Sequence, residues 1–166
     1  MNQKPPSFAL RQATRDDYDV MAEIMFEAVR QGPSAYSNTQ REAWVPKPRS
    51  GAEWNKRLDA QTVFVAESPT QVVGFMSLAK KAYIDFAYIR PTAQGSGVFR
   101  QIYEAIESLA VQGGERRLWV HASLMAQPAF TAMGFSIIQK ESVEIGGQSF
   151  KRFEMEKYLR RPATLN

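Results

Sequence analysis

The chain has 166 residues, 44% hydrophobic and 23% charged, with a net charge of +4, which suits a globular protein with a core of useful size. The sequence contains no cysteine and one histidine, His121, which excludes disulfides, thiolate metal sites, a cysteine nucleophile and a His-rich metal centre. Its basic residues are scattered apart from Lys80-Lys81, Arg116-Arg117 and Arg160-Arg161, with no basic stripe interleaved with aromatics, so nucleic acid is a poor partner and an anionic small ligand or a solvated surface explains the charge.

Phe8 to Ala13 alternates apolar and polar residues and reads as a strand. Thr14 is placed as a helix N-cap, with Asp16 and Asp17 in the first turn, where negative charge suits the helix dipole. Tyr18, Met21, Ile24, Met25, Ala28 and Val29 then share one helical face, and Gly32-Pro33 ends the helix. Tyr36 to Pro46 reads as one or two helical turns closed by Pro46 and Pro48. Ser50-Gly51-Ala52-Glu53 has the capping-box pattern and starts a helix to about Leu58.

Thr62–Ser68 and Val72–Ala79 read as strands joined by a hairpin at Pro69-Thr70-Gln71, and Ala82–Ile89 as a third strand of that meander. Val98, Ile102, Ala105, Ile106 and Leu109 align on a helix stopped by Gly113-Gly114. Arg116–Ala122 follows as a strand, with Trp119 expected in the core. Ser123 is a candidate N-cap for a short helix over about Gln127–Met133 that ends at Gly134. Two last strands, Phe135–Glu141 and Phe150–Tyr158, flank a Gly146-Gly147 turn, and Arg160–Asn166 is a polar tail. The strand, loop, helix and strand over 82–122 form a parallel crossover, expected to be right-handed. No repeat or linker interrupts the chain, so a single α/β domain over 1–166 is expected, with 1–6 and 160–166 as flexible tails. No apolar run is long enough to span a bilayer, and Met1–Ser7 has no apolar signal core; with the lack of cysteine this suits a cytoplasmic protein without a membrane partner.

The most informative stretch runs from Tyr88 to Gln101. A strand ends, a polar loop with Gly95 and Gly97 follows, and a helix begins at Val98. Glycines let the backbone approach a ligand, and the first amides of a helix lack partners and sit at its positive end. Such a loop suits a phosphate or pyrophosphate, although an ordinary strand-to-helix turn has the same composition. It lacks the Gly-Lys-Ser/Thr of a P-loop and the three spaced glycines of a dinucleotide fingerprint.

Gln94-Gly95-Ser96-Gly97-Val98-Phe99, its helix, and the later run Ala126-Gln127-Pro128-Ala129-Phe130-Thr131-Ala132-Met133-Gly134-Phe135 together resemble the GNAT acyltransferase superfamily. Tyr36, Ser37, Gln40, Arg41, Ala43 and Trp44 resemble an early segment of one bacterial branch. The resemblance implies a mixed, mostly antiparallel sheet of about seven strands, a splayed parallel pair formed by the fourth and fifth, and about four flanking helices.

It implies acetyl-CoA, or coenzyme A, as cosubstrate and no metal. The implied cofactor-binding residues are Phe86, Ala87, Tyr88 and Ile89 along the pantetheine, then Gln94, Gly95, Ser96, Gly97, Val98, Phe99 and Arg100 around the pyrophosphate, with Ser123 and Phe130 nearby. The implied acceptor is an amine of a small molecule or peptide, taken by a monomer or homodimer. Phe99 departs from the usual Gly or Ala, and Ser123 from a frequent Asn. Phe130 stands where many members carry a Tyr that protonates the leaving thiolate.

Direct transfer needs a base for the amine and a hydrogen-bond donor for the thioester carbonyl. Asp85, inside an apolar strand, is the first base candidate; it is also readable as a structural aspartate hydrogen-bonded to a loop or paired with Lys80 or Arg90. His121 titrates in the right range and is also readable as a structural strand-end histidine. Tyr88 supplies either an acid or a packing surface. Tyr36, Gln40, Trp44 and Trp54 are candidates for the acceptor wall, Trp54 being more simply a helix-packing residue. An N-acetyltransferase acting through a ternary complex is the favoured reading. A catalytically weak acyl-CoA-binding or regulatory module is the alternative.

Overall fold

The computed structural model describes residues 8–160; of the expected tails at 1–6 and 160–166, all but Arg160 lie outside the described residues. In chain order the elements are β1 (Ala9–Gln12), α1 (Tyr18–Arg30), α2 (Asn38–Trp44), α3 (Gly51–Asp59), β2 (Thr62–Glu67), β3 (Val72–Ala79), β4 (Tyr83–Ile89), α4 (Val98–Gln112), β5 (Arg117–Ser123), α5 (Gln127–Ala132), β6 (Ser136–Ile145) and β7 (Gln148–Tyr158). The strands form one seven-stranded sheet in the order β1-β2-β3-β4-β5-β7-β6. Every neighbouring pair is antiparallel except β4 and β5.

Apolar layers cover both faces. On one face, Val98, Ile102, Ile106 and Ala110 of α4, with Phe130 and Phe135, pack on Met76, Ile84, Leu118, Val120 and Met155. On the other, Met21, Ile24, Met25 and Val29 of α1, with Trp54 and Leu58 of α3, pack on Val63, Val65, Phe75 and Phe86. Each large side chain buried in this way contributes about 1.5–3 kcal/mol. The Asp17 carboxylate accepts from the Thr14 amide at 2.8 Å and from both terminal Arg11 nitrogens at 2.7 Å, which fixes the entry to α1. In α2, the Gln40 amide donates to Ser37 Oγ at 3.1 Å while the Ser37 amide donates to Gln40 Oε1 at 2.8 Å, a reciprocal cap. Gly114, at φ +80°, and the bond from the Glu115 amide to the Ala110 carbonyl close α4.

Several expectations change. The last hairpin is longer than the alternation indicates: β6 continues to Ile145 and β7 begins at Gln148, because a tight Gly146-Gly147 turn lets pairing run to its base. Ser50 stands at the N-cap of α3, but its hydroxyl makes no capping bond. The helix of 127–132 has Ala126, not Ser123, at its N-cap. Trp119 is not a core residue. Leu118, Val120 and Ala122 face the α4 layer, which turns Trp119 and His121 to the opposite side of β5. There Trp119 packs on Tyr83 with ring centroids 4.5 Å apart and donates to the Lys81 carbonyl.

Candidate functional site

A bulge in β4 shapes the site. Met76 pairs with Ala87 and Leu78 pairs with Ile84, so Asp85 and Phe86 together stand opposite Ser77. Ser77, fully buried, accepts the Phe86 amide on its Oγ at 3.0 Å in place of a carbonyl. A bulge bends its strand and re-aims side chains. Here it puts consecutive residues, Asp85 and Phe86, on the wall of the same cavity. It also ends the pairing with β5: the only ladder partners between these strands are Tyr83 with Trp119 and Ile84 with Val120. Beyond Ile84 the two parallel strands diverge.

The amides on the far side of the bulge follow from alternation. Phe86 and Arg90 donate toward β3, to Ser77 Oγ and the Val73 carbonyl. Ala87 and Ile89 therefore direct both N–H and C=O into the gap beside β5. The gap opens into a cleft of about 400 Å³ lined from one side by Ala28, Val29 and Trp44 and from the other by Val98, Phe99, Ala126 and Ala129. Its floor is Ala87, Tyr88 and Ile89, and its far end is Gln94, Gly95, Gly97 and Arg100.

At that end Gly95 and Gly97 hold φ of +78° and +87°, a region that favours glycine, and a Cβ on either would meet nothing within 4 Å. The amides of Gly95, Gly97, Val98, Phe99 and Arg100 have no protein acceptor among the described residues. These donors and the positive end of the 15-residue α4 could hold an anion. Gln94 turns its amide nitrogen back to the Ile89 carbonyl at 3.3 Å. Phe99 does not plug the entrance: its ring packs edge-on against Phe130 at 5.3 Å and forms part of the cleft wall.

A second cavity, about 240 Å³, lies on the α1 side of the gap. Trp44, Tyr88 and Ser123 line both spaces, so the two meet there. Asp85, Tyr83, His121, Arg49, Arg57 and Arg152 supply its polar groups, and Tyr36, Phe86 and Phe150 its aromatic wall.

Asp85 is a paired carboxylate, though with neither partner named from the sequence. Arg57 donates to both of its oxygens at 2.9 and 2.8 Å, and Gln61 donates at 2.6 Å. Neither Lys80 nor Arg90 reaches it; Arg90 is buried and pairs with Glu27. His121 Nδ1 lies 2.9 Å from the Tyr83 hydroxyl, and Nε2 lies 3.4 Å from Glu141, which also accepts from Arg152. Burial, reinforced by Arg152, lowers the imidazole pKa below its ordinary 6.5 and keeps the ring neutral at pH 7. Burial raises the Tyr88 phenol, which packs among Trp44, Phe75 and Phe86 and stays protonated.

Among the residues expected to hold cofactor, Ala87, Tyr88, Ile89, Gln94, Gly95, Gly97, Val98, Phe99, Arg100 and Ser123 line the cleft, and three do not. The bulge turns Phe86 into the second cavity, under the Arg57 guanidinium. The Ser96 hydroxyl is turned back onto the Ala93 carbonyl. Phe130 is buried in the core against Phe99 and Phe135. Ser123 accepts the Ala126 amide on Oγ at 3.1 Å and closes the turn before α5. Of the expected acceptor wall, Tyr36 and Trp44 are in place. Gln40 instead caps α2 and donates to the Ser149 carbonyl, and Trp54 is a packing residue donating to the Tyr18 carbonyl. Tyr83, Arg49, Arg57 and Arg152 escaped the sequence reading. Tyr83 alone had a signal, two residues before Asp85 in the same strand.

The divergent parallel strands, the cleft between them and the amide cradle at its end define an acyltransferase of the GNAT type. The family described as the acetyltransferase (GNAT) domain matches residues 33–159, and the chain belongs to it. Among individual relatives, it is 31% identical over 140 residues to an Escherichia coli K12 protein described as uncharacterized N-acetyltransferase YafP, covering 84% of this chain and 88% of that one. A GCN5-related N-acetyltransferase from Rhodopseudomonas palustris superposes with a TM-score of 0.88 at 31% identity, covering 96% of this chain and all of the other. The fold is shared with a phosphinothricin acetyltransferase from Sinorhizobium meliloti solved with acetyl-CoA, at a TM-score of 0.70, 19% identity and coverage of 95% and 94%.

Proposed function

We propose that this enzyme moves an acetyl group directly from acetyl-CoA to an amine, within a ternary complex and in one catalytic unit. The observation that carries the proposal is the alignment of three features: unpartnered amides at Gly97–Arg100, strand-edge groups of Ala87 and Ile89, and a polar cavity joined to them at Tyr88. The amide cradle holds the pyrophosphate. Ala87 and Ile89 pair with the pantetheine amides as a neighbouring strand would. The thioester then lies at the junction lined by Trp44, Tyr88 and Ser123.

On the acceptor side the base is the Tyr83–His121 pair. With Nε2–H directed at Glu141, Nδ1 accepts from the Tyr83 hydroxyl. As the amine nitrogen attacks the carbonyl carbon, its proton passes to Tyr83 Oη while the Tyr83 proton passes to Nδ1; Glu141 steadies the resulting imidazolium. Asp85, held by Arg57 and Gln61, orders the wall. Tyr88 donates a hydrogen bond to the junction. Its raised pKa lies above the roughly 8.5 of an ordinary thiol, so it does not surrender its proton to the departing thiolate. With Phe130 in the core, water takes that role.

The test is thiol release from acetyl-CoA across an amine panel. Amine-dependent release with acetylated product supports the proposal. CoA binding without turnover across the panel would favour the binding-module alternative.

A further inference from the structure

We infer that the acceptor carries an oxyanion, a carboxylate or a phosphate, beside its reactive amine, and that Arg49 receives it. This rests on the N-acetyltransferase reading and names the substrate class of the same site.

The charge balance of the second cavity carries the inference. Its lining contains Arg49, Arg57 and Arg152 and one carboxylate, Asp85. Arg57 is committed to Asp85 in a two-point pair, and Arg152 to Glu141 at 2.7 Å. Glu154 stands across the strand from His121 but does not line the cavity. Arg49 has no carboxylate partner among the described residues; its only bond is from one terminal nitrogen to the Trp44 carbonyl at 3.3 Å. Four further N–H donors of its planar fork remain for a ligand.

Arg49 is an exposed residue among those lining the cavity. Pro46 and Pro48 stiffen the segment after α2, and Trp44, which accepts from Arg49, is a wall of both cavities. Arg49 also acts electrostatically on the Tyr88 phenol, opposing the effect of burial, so its charge lies near the junction. A free guanidinium beside the Tyr83–His121 base complements an amine that also carries an oxyanion: the neutral amine passes its proton to Tyr83 and His121 as it attacks, while the oxyanion is forked by Arg49. The surrounding rings of Tyr36, Trp44 and Phe150 suit an apolar body between the two ends. A cationic polyamine would meet uncompensated positive charge.

The experiment compares kcat/KM for matched pairs: phenylalanine against phenethylamine, and phosphoethanolamine against ethanolamine. The oxyanion-bearing member is expected to be favoured about ten- to a hundredfold in at least one pair, the range of a charge-assisted contact. The pair that shows the preference identifies the oxyanion. Arg49→Gln should collapse that ratio, chiefly through KM, while CoA affinity reports that the fold is intact. Equal or better use of the neutral amines, or a ratio unmoved by Arg49→Gln, overturns the inference. Binding of N-acetylphenylalanine and its amide to the CoA-loaded protein, read by calorimetry, needs no turnover. Preference for the acid without turnover of any amine would sink the enzymatic reading and keep the oxyanion site. No preference in either assay removes the site.

Discussion

Gly97 separates backbone strain from ligand recognition, and the structure supplies both magnitudes. Its φ is +87° and a Cβ there meets nothing within 4 Å, so a substitution strains the backbone without overpacking. That strain is about 1–2 kcal/mol for an L-residue in the left-handed region. In a chain of 166 residues this lowers Tm by about 2–8 °C. Gly97→Gln and Gly97→Glu carry the same strain and nearly the same volume, and both side chains extend into the cradle. They differ in charge. A carboxylate about 4 Å from a phosphate charge is disfavoured by about 1 kcal/mol in a water-like surrounding and about 4 kcal/mol at an effective dielectric near 20. Calorimetric titration with CoA should therefore show both variants weaker than wild type, with Gly97→Glu weaker than Gly97→Gln by at least about fivefold. The gap should narrow as salt is raised. Two variants with a lowered Tm but wild-type affinity would confirm the strain and refute the anion site.

Three further outcomes follow from the same geometry. Because the His121 pKa is lowered by burial and the neutral ring is the active form, kcat at saturating acceptor should stay flat at neutral pH and fall only below the ordinary imidazole value of 6.5; His121→Gln should lower the plateau and remove that acid limb, whereas Asp85→Asn should retain it. An acid limb lost in the Asp85 variant would return the base role to that carboxylate. Phe130→Tyr should lower Tm and give no rate gain, since a hydroxyl in the core without a partner costs about 1–3 kcal/mol; faster thiol release would show that the ring reaches the leaving group. Hydrogen bonds from Arg11 lower the Asp17 pKa, so its contribution to stability is present above the usual aspartate range and is lost as pH falls through the lowered value; Asp17→Asn should be less stable at pH 7 and flatter in its acid melting profile, and an unchanged profile would contradict the pairing.

The cleft proposed to take the coenzyme was legible because it is local. Strand, glycine loop and helix are contiguous, and one short window contains the cleft floor, the cradle and the α4 face. The acceptor half is assembled from distant segments. Arg57 and Asp85 lie 28 positions apart and Tyr83 and His121 lie 38 apart, and no periodicity announces such partners. Alternation in β5 puts Trp119 and His121 on one face and Leu118 and Val120 on the other, but both faces of this sheet are covered, so it does not say which set belongs to the core. The bulge at Asp85-Phe86 left no sequence mark, and it alone moved Phe86 out of the cofactor set. Phe130 sits in a motif position whose helix is in place, and only packing shows that its ring turns inward.

The most direct measurement is a crystal structure with CoA bound. The account predicts diphosphate oxygens within hydrogen-bonding distance of the Gly97, Val98, Phe99 and Arg100 amides, and pantetheine amides paired with Ala87 and Ile89. A coenzyme bound elsewhere, or a cleft closed by the Phe99 ring with the diphosphate excluded, would contradict it.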